Sequence, residues 1–130
     1  MKTAKTNTTK DLTEGLLDLA QRCERRYEKA KADLLEAVQT NPAEALAWHG
    51  EEMAKVQEPH ERTMHTAAML KEHAPHEVLA DIQQEVEQGI ERFFGGNSTS
   101  QFQNAVARAR TEGLVALKRD LDSLAREYKA

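Results

Sequence analysis

Two apolar stripes, one at each end of the chain, limit what this sequence can fold into. Toward the C-terminus, Phe102, Val106, Ala109, Gly113, Leu117, Leu121, Leu124 and Tyr128 follow one another at steps of four or three residues. That spacing lines one face of an α-helix. Leu12, Leu16, Leu19, Cys23, Tyr27, Ala30, Leu34 and Val38 do the same near the N-terminus. No segment shows the alternation of a half-buried strand. Long helices with narrow apolar seams bury them against other helices, so the fold class is all-α, an elongated antiparallel bundle of four main helices.

Breaks in the pattern divide the chain. Residues 1–9, with Lys2 and Lys5 among threonines and no acid, read as a disordered basic arm, with Lys10 just beyond it. The first helix starts near Thr8 or Thr9 and runs to about Gln39. Asn41-Pro42-Ala43-Glu44 is a helix start, because Asn41 can cap, Pro42 suits the first helical position and Glu44 can complete a capping box. The next stripe, Leu46, His49, Met53, Val56, His60, Met64 and Ala67, keeps its phase through Pro59. A proline inside a helix removes a hydrogen bond and crowds the preceding turn, so this second helix is expected to be kinked or split near Pro59. Ala74-Pro75 is a further stop. Leu79, Ile82, Val86, Ile90 and Phe93 mark a third helix, which Gly95-Gly96 closes, and Ser98 or Ser100 caps the last. Mid-helix Gly89 and Gly113 are read as places where helices cross closely. Gly113 to Leu117 is apolar all round, which makes the last helix the expected central pillar.

At 130 residues the chain has room for one domain, placed at 10–130. Charged residues are 31% of it and no long apolar run occurs, which excludes a membrane-spanning helix. The N-terminal segment lacks the apolar core of a secretory signal, so the expected location is cytoplasmic. Charge is uneven along the chain. Lys and Arg number eight against seven Asp and Glu in residues 1–40, four against eleven in 41–94, and six against four in 95–130. Aromatic residues are only 5%, so the core must be built of Leu, Ala, Val, Ile and Met. Such a thin core favours self-association.

Few residues suggest chemistry. Cys23, the single cysteine, lies on the first stripe and reads as a small core hydrophobe. His49, His60, His65, His73 and His76 are the candidate metal ligands. His49 and His60 share a helix face, but eleven residues set them about 16 Å apart, too far for one ion. His-Glu-x-x-His and Glu-x-x-His are both missing from the sequence. No glycine-rich phosphate loop is present. Arg22, Arg25, Arg26 and Lys29 form a basic face on the first helix that could contact phosphates together with the lysine arm. Arg108, Arg110, Lys118 and Arg119 add cations to the last helix. Against this, the isoelectric point is near 5.7 and acids such as Asp18 sit four residues from their cations.

Trp48 lies beside its stripe, Phe93 and Phe94 point in different directions, and Leu17 and Leu35 widen the first stripe. These five are the candidate protein interface, since aromatic residues left at a surface are favoured contact points. The sequence is therefore read as a non-enzymatic helical-bundle protein without a cofactor. It acts through protein–protein interaction in an adaptor, regulatory or accessory role and is expected to form a homodimer. The alternatives are a nucleic-acid-associated accessory protein using the lysine arm and the Arg22–Lys29 face, and a metal-binding bundle using the histidines.

Overall fold

The computed structural model describes residues 8–94 and 101–128, with the side chains of 12–45, 47–92 and 105–128. The N-terminal arm, the Gly95–Ser100 loop with its caps, and the side chains of Lys10, Leu46, Phe93, Phe94 and Phe102 lie outside the described set. Five helices make up the described residues: α1 (Thr8–Thr40), α2 (Pro42–Thr63), α3 (Thr66–Glu72), α4 (Pro75–Phe94) and α5 (Gln101–Glu127). Only Asn41, Met64, His65, His73, Ala74 and Tyr128 fall between or beyond them. The fold is all-α. No helix among the described residues is long and apolar enough to cross a membrane.

One residue turns α1 into α2. Asn41 donates its backbone N–H to the Ala37 carbonyl at 2.7 Å and closes α1, while its own carbonyl accepts from Glu44 and Ala45 and opens α2. The capping box is not reciprocal: the Asn41 amide donates to the Glu44 carboxylate at 3.0 Å instead of accepting from the backbone. Pro42 holds the first position of the helix, as its sequence context predicts.

The break expected near Pro59 is displaced. α2 runs through the proline and ends four residues later at Thr63, whose hydroxyl donates to the Pro59 carbonyl at 2.7 Å. Such back-bonding to the preceding turn bends and weakens a helix. The short α3 follows after Met64 and His65, so the segment expected as one kinked or split helix is a long helix and a short one.

The principal core lies between the first half of α1, α4 and the second half of α5. Leu12, Leu16, Leu19 and Cys23 meet Val78, Leu79, Ile82 and Val86, and Leu114, Leu117 and Leu121 complete the cluster. Met69 and Leu70 of α3 pack against its edge. The second half of α1 is different. It pairs with the first half of α2, and there, among the described residues, the buried hydrophobic residues are Ala30 and Ala45. The seam expected at Met53, Val56 and His60 is only half-buried, and Met64 is exposed. What α2 buries instead is Ala54 and Glu58, the latter paired with Arg62, which reaches toward α4, and at its end Thr63, whose hydroxyl lies against Cys23 of α1.

α5 carries α2 on one side and α4 on the other. Not every side of it is covered, since Ala116 is exposed within its all-apolar stretch. Two glycines allow the close crossings. A Cβ built on Gly113 would run into the Lys55 carbonyl oxygen of α2 and lie 2.9 Å from its carbon. One on Gly89 would lie 2.9 Å from Leu114 Cδ1 and 3.3 Å from Arg62 Nη2. Arg62 also holds the buried Glu58 at 3.2 Å and reaches Glu85 of α4 at 3.9 Å. The ion pair joining α2 to α5 runs from Lys55 to Glu112 at 3.5 Å. Its cation comes from the acidic middle of the chain and its acid from the basic end, against the sense that the charge distribution suggests.

α4 is tied to α5 by Gln83, which donates to Asp122 at 3.0 Å, and Lys118 donates to the same carboxylate at 2.8 Å. The Lys118 hydrogen bond holds the Asp122 carboxyl below its ordinary value of 3.8, with Gln83 assisting and partial burial opposing. A carboxylate depressed in the folded state contributes stability above its ordinary pKa and loses it as pH falls through the lowered value. Urea melts of the wild type are therefore expected to weaken below about pH 4. Asp122→Asn is expected to reduce that acid dependence while leaving the other carboxylates' share. An unchanged slope would mean that the pairing does not persist in solution.

Candidate functional site

A largely apolar recess lies where α1, α2 and α5 meet. Cys23, Val56, Pro59, Gly113, Ala116 and Leu117 give it an apolar lining, and Arg26, Lys55, Glu112 and Asp120 add charged groups to it. The volume is about 260 Å³. The recess lies beside the close α2–α5 crossing that Gly113 permits, and Ala116, one turn on along α5, is too small to fill it. A proline on α2 adds a flat apolar surface without a backbone donor.

Cys23 is buried, and desolvation pushes its thiol above the ordinary value of 9.0. The Thr63 hydroxyl, Arg26 and Arg22 pull the other way without overcoming burial. The sulfur is thus a neutral thiol at neutral pH and contributes apolar, polarizable wall rather than thiolate. Two cations and two acids beside an apolar lining suit a bulky apolar group whose neighbours are polar, the arrangement of a contact hot spot inside a polar rim.

The structure scatters the histidines. His60 stacks on Tyr27 with ring centroids 4.2 Å apart and planes 8° from parallel. It also lines a second groove between α1 and α2 with Leu17, Glu24 and Met64. His49 borders a shallow recess beside Asp33 and Thr40. His73 Nδ1 lies 3.9 Å from Glu77. His65 is exposed in the turn after α2, and His76 is half-buried in the first turn of α4. Among the described residues no three His, Cys, Asp or Glu side chains converge as a metal ion would require.

The basic face is partly neutralised along its own helix. Arg22 lies 3.3 Å from Asp18 and Lys29 lies 3.1 Å from Asp33, each an exposed or half-exposed pair of modest worth. Arg26 stands at the recess, and Arg25 is exposed. On α5, Lys118 is engaged by Asp122.

The interface candidates separate into three groups. Trp48 is 72% exposed and Leu35 54%, both in the thin α1–α2 half of the molecule. Leu17 is half-buried in the second groove. Phe93 and Phe94 close α4, with side chains outside the described set. Sequence reasoning missed the recess, which gathers residues from three distant segments, and it missed the buried Glu58–Arg62 pair. Comparison with protein-family models, with curated proteins and with solved structures finds no match to this chain.

Proposed function

We propose that this chain is a non-enzymatic helical-bundle protein that works by binding protein, including a second copy of itself, through the outer half of the α1–α2 hairpin. One observation carries the reading. Trp48, a residue type that is highly buried on average, is 72% exposed on the outer half of a hairpin where the described buried hydrophobic residues are Ala30 and Ala45. Leu35 and Val38 are exposed on the same half. Apolar side chains placed outward while small ones are placed inward suit an antiparallel bundle completed by another molecule. The acidic isoelectric point and the internal pairing of Arg22 and Lys29 favour a protein partner over nucleic acid.

The test is capture of the full chain from its own cells under nuclease and chelator controls, with sedimentation of the pure protein alongside. Protein-only complexes that survive both treatments, and a mass above the monomer at tens of micromolar, are the expected results. Complexes lost to nuclease would replace this reading with the nucleic-acid one. Complexes lost to chelator would replace it with the metal-binding one.

A further inference from the structure

Met53, Met64 and Met69 each stand four residues after a histidine, namely His49, His60 and His65. Residues at that spacing are neighbours on a helix surface, and a helical side chain leans back over the preceding turn, so each thioether leans toward its histidine. The fold treats the three pairs differently. Met69 packs against the core cluster, while His65 is exposed in the turn before α3. His49 borders the recess beside Asp33 and Thr40, which Met53 does not line. His60 and Met64 line one groove together, between α1 and α2.

We propose that the imidazole of His60 and the thioether of Met64 hold a soft monovalent cation of the Cu(I) and Ag(I) class in this groove, a property separate from protein binding. The donor set selects the ion. Zinc sites take three or more His, Cys or carboxylate ligands and calcium takes a cage of oxygens, and no such group forms among the described residues. A soft monovalent ion is satisfied by one imidazole nitrogen and one thioether sulfur, donors that suit copper and that hard cations pass over. The imidazole is held in place, since its ring stacks on Tyr27 with centroids 4.2 Å apart and planes 8° from parallel. Its Nδ1 is shut away from solvent without a hydrogen-bond partner, and a buried polar atom in that condition calls for a ligand. The thioether is free of the core, because Met64 is 53% exposed. Charge agrees as well. Glu24 lines the groove and no lysine or arginine does, so the local field favours a cation.

The probe is Ag(I), added as nitrate in chloride-free buffer, because it shares the ligand preference of Cu(I) without its redox chemistry. Cys23 is the one rival soft donor, so the full chain carries Cys23→Ala, with circular dichroism confirming the fold. Native mass spectrometry counts the bound ions, and nuclear magnetic resonance follows the methionine methyl groups and the histidine rings. With the first equivalent of Ag(I), the Met64 methyl and the His60 ring are expected to shift together while the Met53 and Met69 methyls stay in place. Met64→Leu conserves volume at an exposed position, and His60→Phe keeps a ring against Tyr27 while removing both nitrogens. Each is expected to lose the first bound ion with helicity unchanged. Mg(II) at the same concentration should shift neither group. A first equivalent that moves Met53 or Met69 instead, a Met64 shift without a His60 shift, or an ion retained by His60→Phe overturns the proposal. The coincident shift in the chain with both residues intact decides the matter even if His60→Phe perturbs folding.

Discussion

Leu121→Asp is expected to unfold the protein at neutral pH. Leu121 is fully buried between α4 and α1, in the cluster with Ile82, Val86, Leu114 and Leu117. Removing a buried leucine side chain costs about 2–5 kcal/mol through lost transfer energy and the cavity left behind. A carboxylate at the same place adds a desolvation cost of several kcal/mol, and no described cation of the cluster stands ready to pair with it. The neighbouring Asp122 is already engaged by Lys118 and Gln83 and adds repulsion. The total matches the whole stability of an ordinary domain, about 5–15 kcal/mol. Ser123→Asp, two residues on and exposed, should change stability by no more than ~0.5 kcal/mol. Circular dichroism and urea melts of the pair give the comparison. Retained helicity and an unchanged midpoint for Leu121→Asp would mean that this face of α5 is not in the core.

The helices themselves were legible because their signals are local. The three-and-four spacing from Leu12 to Cys23 and from Ala109 to Leu121 marks residues that the structure buries. Pro42 and Pro75 stand at the first positions of α2 and α4, where a missing N–H costs nothing. The second stripe misled for a physical reason. Periodicity in hydrophobic residues locates one apolar face, whereas α2 is flanked by α1 on one side and by α4 and α5 on another. Its buried described residues beyond the first turn are Ala54 and Glu58 on one side and Thr63 toward α1, small or polar residues that carry no hydrophobic signal. Glu58 is tolerated there only because Arg62, one turn on, meets it.

The candidate site was legible in one part only. Trp48 falls off its stripe, and the structure leaves it exposed. The recess could not be read in the same way, because it is defined by missing volume contributed by residues as far apart as Cys23, Pro59 and Gly113. The charges that line it look in sequence like ordinary solvated helix faces. Val38 shows the converse limit: its spacing extends the first stripe, yet it is 45% exposed because α1 outruns the core that its first half helps to build.

Gly113→Ala should destabilise the protein where Gly50→Ala should stabilise it, although both replace a mid-helix glycine. In a helix interior alanine is favoured over glycine by about 1 kcal/mol. At Gly50 nothing lies within 4 Å of the added Cβ, so that preference is expected to appear as a gain of about 0.5–1 kcal/mol. At Gly113 the Cβ meets the Lys55 carbonyl, and the carbonyl carbon and Cα are backbone atoms that cannot swing aside. Overpacking of that kind costs about 1–3 kcal/mol and outweighs the propensity gain. The cause of the close approach lies four residues along α2. Pro59 has no N–H to offer Lys55, and a proline ring pushes the carbonyl of the fourth preceding residue away from the helix axis. That carbonyl is the one Gly113 accommodates. Pro59→Ala would return a hydrogen-bond donor to Lys55 and let its carbonyl settle back into the helix, so Gly113→Ala is expected to cost less in that background. A double-mutant cycle in urea should give a coupling of about 0.5–3 kcal/mol between the two positions. Strict additivity would show that the proline does not set the α2–α5 approach, and a stabilising Gly113→Ala would show that the helices do not cross there at all.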